Sequence, residues 1–377
     1  MISNPFIVSG NIPEPYFCDR LEETKNLKKT LSNGQDLCLI SPRRMGKSKL
    51  VKHFYGQAEI SDNYHCLYID LLHTSSLREF VFAFGKCVFD SLQSRSEKIA
   101  LDFLSAIRSL TATFSIDPIS GQPQLGLTLD DGMVPEYTLE SIFAYLEKAG
   151  RPCIVCFDEF QQIINYPEKN IEALLRSQIQ HLSNAHFIFS GSERHLLYRM
   201  FAEKSRPFYK STAFMELEAI AENKYAEFVK YWFEKAGKHI GNDLISVYYS
   251  FAEGNTYVLQ RISHELYSVV GSSESPDRKV LKTVIDDIIE AEKSRYEHIL
   301  SMLPERQQKL LFAIAKEDRV EKIMSGSFVN KHRLVSSSVV QNAAKRLLEM
   351  DLITIDNKQY SVQDVFFRRY LTQIAEY

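Results

Sequence analysis

Two short stretches carry residue types that act together on a phosphate. The first, Ser41-Pro42-Arg43-Arg44-Met45-Gly46-Lys47-Ser48, follows the apolar run Leu37 to Ile40 and precedes Leu50, Val51 and Phe54 at helical spacing. This is the strand, loop and helix order of a Walker A motif. Such a loop turns its backbone N–H groups and the helix N-terminus toward a phosphate, and Gly46 lets the chain approach closely. Lys47 then reaches the β and γ phosphates of ATP, and the Ser48 hydroxyl is a ligand for Mg²⁺. Arg43, Arg44, Met45, Gly46, Lys47, Ser48 and Lys49 are expected to border the nucleotide. Arg43 and Arg44 read either as partners of phosphate or lid carboxylates, or as a solvated basic loop. Ser41 stands where such loops usually carry their first glycine, so a different incoming turn is expected.

The second stretch is Cys153 to Phe157, four apolar residues and a phenylalanine leading into Asp158-Glu159. At the end of a buried strand Asp158 holds Mg²⁺ through its water shell, and Glu159 polarises the attacking water as a general base. The alternative for the acidic pair is a surface turn capping the next helix. Ser190-Gly191-Ser192 closes a further apolar run, and either serine could sense a γ-phosphate from there, although Ser192 also reads as a helix cap. Arg206, in Arg206-Pro207-Phe208-Tyr209, would stabilise charge developing on the γ-phosphate in its own chain or a neighbour's, which includes a nucleotide-dependent oligomer. Its other reading is a brace for the loop before the fifth strand.

These residues need a frame. Leu37 to Ile40, Cys66 to Leu71, Cys153 to Phe157, His186 to Phe189 and Phe214 to Leu217 are mostly continuous apolar runs. Strands buried on both faces show that pattern, so a parallel sheet covered by helices, an α/β fold, is expected. Thr111 to Leu129 alternates around Asp117-Pro118-Ile119-Ser120-Gly121 and reads as an inserted hairpin. Residues 218–295 are helical throughout, broken at Glu253-Gly254-Asn255. After Pro304, helices are followed by two short strands, the order of a winged helix-turn-helix. The expected divisions are an ATPase core over 1–217, a helical lid over 218–295 and a winged helix over 296–377.

The ordered set is wider than a generic phosphate loop. Asn4-Pro5-Phe6, Tyr16-Phe17-Cys18-Asp19-Arg20, the PRRMGKS loop, Tyr68-Ile69-Asp70, Phe157-Asp158-Glu159-Phe160, Ser190-Gly191-Ser192, Glu253-Gly254-Asn255 and Tyr360-Ser361-Val362-Gln363-Asp364 together resemble the AAA+/STAND-type P-loop ATPases of the archaeal ATPase-like family, over nearly the whole chain. The resemblance implies a P-loop NTPase sheet ordered 5-1-4-3-2, a helical lid and a C-terminal winged helix. It also implies that Pro13, Tyr16 and Phe17 border the adenine. Where the family usually has a histidine-proline pair near the lid's sensor region, this chain has Asn255-Thr256.

Composition narrows the function classes. With 45% hydrophobic and 25% charged residues the chain is that of a globular protein, and no run approaches the roughly 18 apolar residues of a membrane span. A cytoplasmic protein with no membrane partner is expected. The six cysteines read as reduced core thiols; Cys153 and Cys156 form a C-x-x-C, but strand periodicity points them to opposite faces. Residues 301–377 carry 12 Lys and Arg against 9 Asp and Glu, and residues 1–300 carry 33 against 39. That mild asymmetry permits DNA at the C-terminal end without demanding it. On the helix opening at Ser336, Val339, Val340, Ala343, Ala344, Leu347 and Leu348 should face the core. Ser337, Ser338, Gln341, Asn342 and Lys345 remain outside; if the helix reads DNA, Gln341 and Asn342 face adenine while Lys331, Arg333, Lys345 and Lys358 supply phosphate contacts. The leading expectation is an ATP-hydrolysing, nucleotide-driven molecular switch. The alternatives are an ATP-responsive DNA-binding regulator and a protein-docking scaffold with little turnover.

Overall fold

The structure, a computed structural model, describes residues 4–93, 102, 103, 105, 107, 110–116, 123–129, 134–356 and 358–375. It divides into two compact units, Asn11–Ile220 on the one hand and Met1–Gly10 with Ala221–Tyr377 on the other.

The first unit is built on a five-stranded parallel sheet: β1 (Leu37–Ile40), β2 (His65–Asp70), β5 (Cys153–Asp158), β6 (Ala185–Gly191) and β7 (Ala213–Glu216). Their spatial order is β2-β5-β6-β1-β7. Numbered within this sheet, that is 2-3-4-1-5, the order the resemblance implies. Continuous apolar runs form these strands because both sheet faces are covered. Cys153, Val155 and Phe157 sink into one apolar cluster while Ile154 and Cys156 sink into the other. Cys153 and Cys156 thus lie on opposite faces. Burial, then the Cys66 thiol, pushes the Cys153 thiol up to about 12, and burial, then Asp158, pushes the Cys156 thiol well above its ordinary value.

Helices α1 (Leu21–Ser32), α2 (Lys47–Gly56) and α3 (Ala58–Asn63) flank the first strands, and α4 (Leu77–Gln93) crosses back over the sheet. In α4, Phe80, Phe84 and Val88 recur every four residues and all are buried, so one stripe of the helix fills the sheet face. The inserted hairpin consists of β3 (Leu110–Ile116) and β4 (Pro123–Leu129), antiparallel, with Thr113 opposite Gly126. Its expected turn residues, 117–121, lie outside the described residues. Then come α5 (Pro135–Glu147), α6 (Ile171–Ile179) and α7 (Arg194–Ala202).

In the second unit, α8 (Glu222–Lys235), α9 (Asn242–Ala252), α10 (Thr256–Val269) and the long α11 (Arg278–Met302) form a helical bundle. Asn255 caps α10, its side chain accepting the N–H groups of Tyr257 and Val258; a capping role thus occupies the position where the family pattern has histidine. Sequence patterning assigns the first ten residues to the core, yet they join this unit. Phe6 is fully buried, with ring centroids 5.7 Å from Phe228, 5.9 Å from Phe233 and 5.6 Å from Tyr267. Asn4 Nδ2 donates to the His264 carbonyl at 2.9 Å, and His264 Nδ1 donates to the Phe6 carbonyl at 2.8 Å.

Helix α11 runs through position 295, where patterning places the limit of the lid. Beyond it, α12 (Glu305–Glu317), α13 (Gly326–Lys331), α14 (Ser337–Glu349), β8 (Ile353–Asp356), β9 (Gln359–Val362) and α15 (Val365–Ala375) make the winged helix, with Val320 bridging to Tyr360 beside the hairpin. In α14, Val340, Ala343, Ala344 and Leu347 are buried, whereas Val339 and Leu348 are only half-buried at the margin of the stripe. Ser337, Ser338, Gln341, Asn342 and Lys345 are exposed. Glu253 ties the bundle to the winged helix by accepting from both Arg319 and Arg368, and Arg368 also pairs with Asp318 at 2.6 Å.

Candidate nucleotide site

The phosphate loop is shaped by backbone conformation. Arg44 has φ +66° and Gly46 φ +92°, and the second angle belongs to the region that only glycine adopts freely. Gly46 caps α2 without a side-chain hydrogen bond, so the helix meets a ligand with its own N–H groups and the positive end of its dipole. Ser41, by contrast, does not have positive φ. It is buried, its hydroxyl donating to the Pro42 carbonyl at 2.9 Å. The incoming turn therefore accepts serine without left-handed strain, and a glycine there has no conformational advantage.

Lys47 is buried, its Nζ 3.5 Å from the Ser41 carbonyl and 3.9 Å from Glu159 Oε1. Ser48 Oγ donates to Asp158 Oδ2 at 2.7 Å. The Asp158 carboxylate is steadied from two more sides. The Tyr68 hydroxyl donates to the same oxygen, and Oδ1 accepts the Glu159 N–H at 3.1 Å. Burial first, then the neighbouring carboxylate, pushes the Tyr68 phenol well above its ordinary value, which keeps it a protonated donor. Two hard oxygens, the Ser48 hydroxyl and the Asp158 carboxylate, meeting beside a phosphate loop suit Mg²⁺, which prefers one or two protein oxygens plus phosphate and water.

Because β6 lies between β1 and β5, it sets Ser190 between the two motif strands, opposite Leu39. Ser190 is fully buried and its hydroxyl has no hydrogen-bond partner among the described residues. Ser192 does not cap α7; Glu193 holds that position, without a side-chain cap. Instead Ser192 Oγ and N donate to Glu159 Oε2 at 2.7 and 3.2 Å, and Arg43 Nε reaches Ser192 Oγ at 3.4 Å.

Other predicted residues make contacts of their own. Pro13 caps the short helical turn Glu14–Tyr16 and lines, with Lys49, Lys52 and His53, a cleft of about 160 Å³. Phe17 stacks flat on His53 at 3.9 Å. Met45 offers its carbonyl to Arg20 Nη2 at 3.3 Å. Arg206 pairs with Glu172 on α6, whose carboxyl is raised by burial against the pull of Arg206 and Arg199.

Arg20 and Tyr68 are supports whose part patterning alone does not reveal. Arg20 is buried, has φ +70° and pairs with Glu23 at 2.6 Å while bracing the loop. In the sequence Arg20 stands out only as part of the Tyr16 to Arg20 run and as a charge before an apolar helical stripe, neither of which shows what it touches.

A family model described as "ATPase domain predominantly from Archaea" matches residues 17–262, and one described as "Probable winged helix domain" matches residues 294–373. No curated protein matches the chain. Among solved structures, the Walker-type ATPase PABY2304 of Pyrococcus abyssi is 19% identical, with 98% of this chain and 99% of that chain covered and a TM-score of 0.64. The Aeropyrum pernix ORC2 protein, in ADPNP-ADP complexes, is 13% identical over 99% and 96% of the two chains, TM-score 0.60. The Aeropyrum pernix ORC1 protein in complex with DNA is 10% identical over 99% and 98%, TM-score 0.52. At these identities the likeness is one of fold.

Proposed function

The chain belongs to the family of ATPase domains found predominantly in Archaea, and from that membership we propose that residues 11–220 bind ATP with Mg²⁺ and hydrolyse it to ADP and phosphate. The observation that carries the reading is the convergence of four side chains: Ser48 Oγ lies 2.7 Å from Asp158 Oδ2, and Lys47 Nζ lies 3.9 Å from Glu159 Oε1. Lys47 leaves Glu159 for the β and γ phosphates when ATP arrives, and the backbone of residues 43–48 surrounds them. Ser48 and Asp158 would hold Mg²⁺, which neutralises charge on the phosphate oxygens. Glu159 then takes a proton from the attacking water. Ser190 offers its unpartnered hydroxyl to the γ-phosphate side, Arg43 and Arg44 contribute positive field, and Pro13, Tyr16 and Phe17 border the base beside Lys49. We assign Arg206 to bracing α6, because Glu172 already engages its guanidinium.

The cycle makes the protein a nucleotide-driven switch of the STAND type, with ATP and ADP states differing in the chemistry at Lys47 and Glu159. Glu159→Gln tests the catalytic part. ATP affinity by calorimetry stays within about threefold of the parent, while turnover falls by about a hundredfold or more. A Glu159→Gln protein that hydrolyses ATP at the parental rate removes Glu159 from the role of base.

The exposed polar face of α14, with Ser337, Ser338, Gln341, Asn342 and Lys345, supports a second reading in which the winged helix contacts duplex DNA. Lys331 is paired with Glu317, and Lys345 lies 4.0 Å from Glu349, so phosphate contacts must displace carboxylates. The full chain should then bind a random duplex with a log-affinity slope against log salt that becomes shallower in a Lys331, Arg333 and Lys345 triple alanine variant. Folded protein that ignores duplex at low salt leaves the winged helix as a protein-docking module.

A further inference from the structure

We propose that Gln161 is the positioning residue of Glu159, fixing one carboxylate oxygen so that the other faces the reacting water, and that Gly191 is glycine to make room for it. The inference rests on the reading of Glu159 as the general base.

Glu159 sits at φ +53°, a left-handed conformation, immediately before the 3₁₀ turn Phe160–Asn165. Such a backbone in a non-glycine residue persists only where its surroundings hold it. What holds it is visible at Oε2, which accepts from Gln161 Nε2 at 2.6 Å, Ser192 Oγ at 2.7 Å and Ser192 N at 3.2 Å. Oε1 instead lies toward Lys47 at 3.9 Å. The two oxygens are therefore unequal. Three donors saturate Oε2, and Oε1 is left on the phosphate side to accept a proton.

Gln161 is built for this single contact. The residue is only 4% exposed, yet its own carbonyl Oε1 has no hydrogen-bond partner among the described residues. An orphaned buried carbonyl is destabilising, and proteins retain few of them. Turning the amide over would set that carbonyl against the Glu159 carboxylate, so Glu159 fixes the orientation. The carbonyl rests against the Cα of Gly191, where an added Cβ would lie 2.0 Å from Gln161 Oε1 and 2.9 Å from Leu197 Cδ1. Gly191 does not have positive φ; space, not backbone freedom, requires glycine here.

The test is steady-state ATP hydrolysis with calorimetric ATP affinity, on the full chain. Gln161→Leu keeps volume and removes the donor. Its kcat should fall about tenfold or more, since a misplaced base costs rate out of proportion to the displacement, while KM and Kd for ATP stay within about twofold. Gly191→Ala, which evicts Gln161 from the other side, should show the same split. In the Glu159→Gln background the Gln161→Leu change should leave the residual rate unaltered within about twofold, because the group it positions is gone. A merely structural role predicts equal losses in both backgrounds, or KM and Kd rising as kcat falls; either result overturns the proposal. Parental kcat in Gln161→Leu, with Glu159→Gln inactive, overturns this inference alone. Parental kcat in Glu159→Gln overturns the base reading and this inference with it.

Discussion

Replacing Lys47 by alanine isolates the contribution of one buried ammonium to nucleotide affinity. Lys47 is 6% exposed, and among the described residues its Nζ lies 3.5 Å from the Ser41 carbonyl and 3.9 Å from Glu159 Oε1. Neither contact is close, so the ammonium gives up little when it turns to phosphate. Contacts to the β and γ phosphates, each a charge-assisted hydrogen bond of about 1.5 to 3 kcal/mol, sum to about 3 to 6 kcal/mol. That corresponds to a loss of about 10² to 10⁴ in Kd for ATP. ADP has no γ-phosphate and should lose about half as much free energy. The free protein should tolerate the change, since Gln161 and Ser192 still hold Glu159. Calorimetry with ATP-Mg and ADP-Mg on Lys47→Ala, beside a thermal unfolding curve, gives all three quantities. An ATP affinity within threefold of the parent on a folded protein would refute the assignment, and so would a larger loss for ADP than for ATP.

Two predictions concern the scaffold. Phe6→Ala empties a fully buried site ringed by Phe228, Phe233 and Tyr267, so denaturant unfolding should show the helical unit destabilised by about 3 to 5 kcal/mol; a change below about 1 kcal/mol would mean the segment does not pack there. Burial, opposed by the Phe187 N–H and Arg176, raises Asp36 to about 6 from an ordinary 3.8. The folded protein thus keeps a proton that the unfolded chain releases between about pH 4 and 6, and this group's contribution makes stability fall as pH rises through that window. Asp36→Asn should flatten that part of the stability profile measured by urea unfolding, and a profile superimposable on the parent's would show that Asp36 is not held in its raised state.

Much of the fold was legible because each sheet strand is announced locally. Leu37 to Ile40 and Cys153 to Phe157 are continuous apolar runs ending in polar chemistry, too short for a helix of ordinary length, and so read as buried strands. The order of the strands came from the resemblance, since strand pairing has no local signature. The motifs that carry the proposed site stand out in the sequence for the same local reason. Gln161, Tyr68 and Arg20 were not: their importance lies in contacts to Glu159, Asp158 and Met45 made by the folding of separate segments. Even Gln161, two residues from Glu159 in sequence, gains its meaning from Gly191 on another strand. Arg206 carried two readings in the sequence, and its pairing with Glu172 favours the brace. Its place near the motifs suggested chemistry, and only the fold discloses Glu172 as its partner.

The segregation of the first ten residues from the stretch that follows them imposes an order on synthesis. Asn11–Ile220 is continuous and can close its own core as it emerges, whereas the residues before it belong with Ala221–Tyr377. Phe6 must wait for Phe228, Phe233 and finally Tyr267. At about 5 to 20 residues per second that delay is roughly 10 to 50 seconds. Throughout it an apolar side chain near the start of the chain stays without its cage while a whole phosphate-binding unit folds between it and its destination.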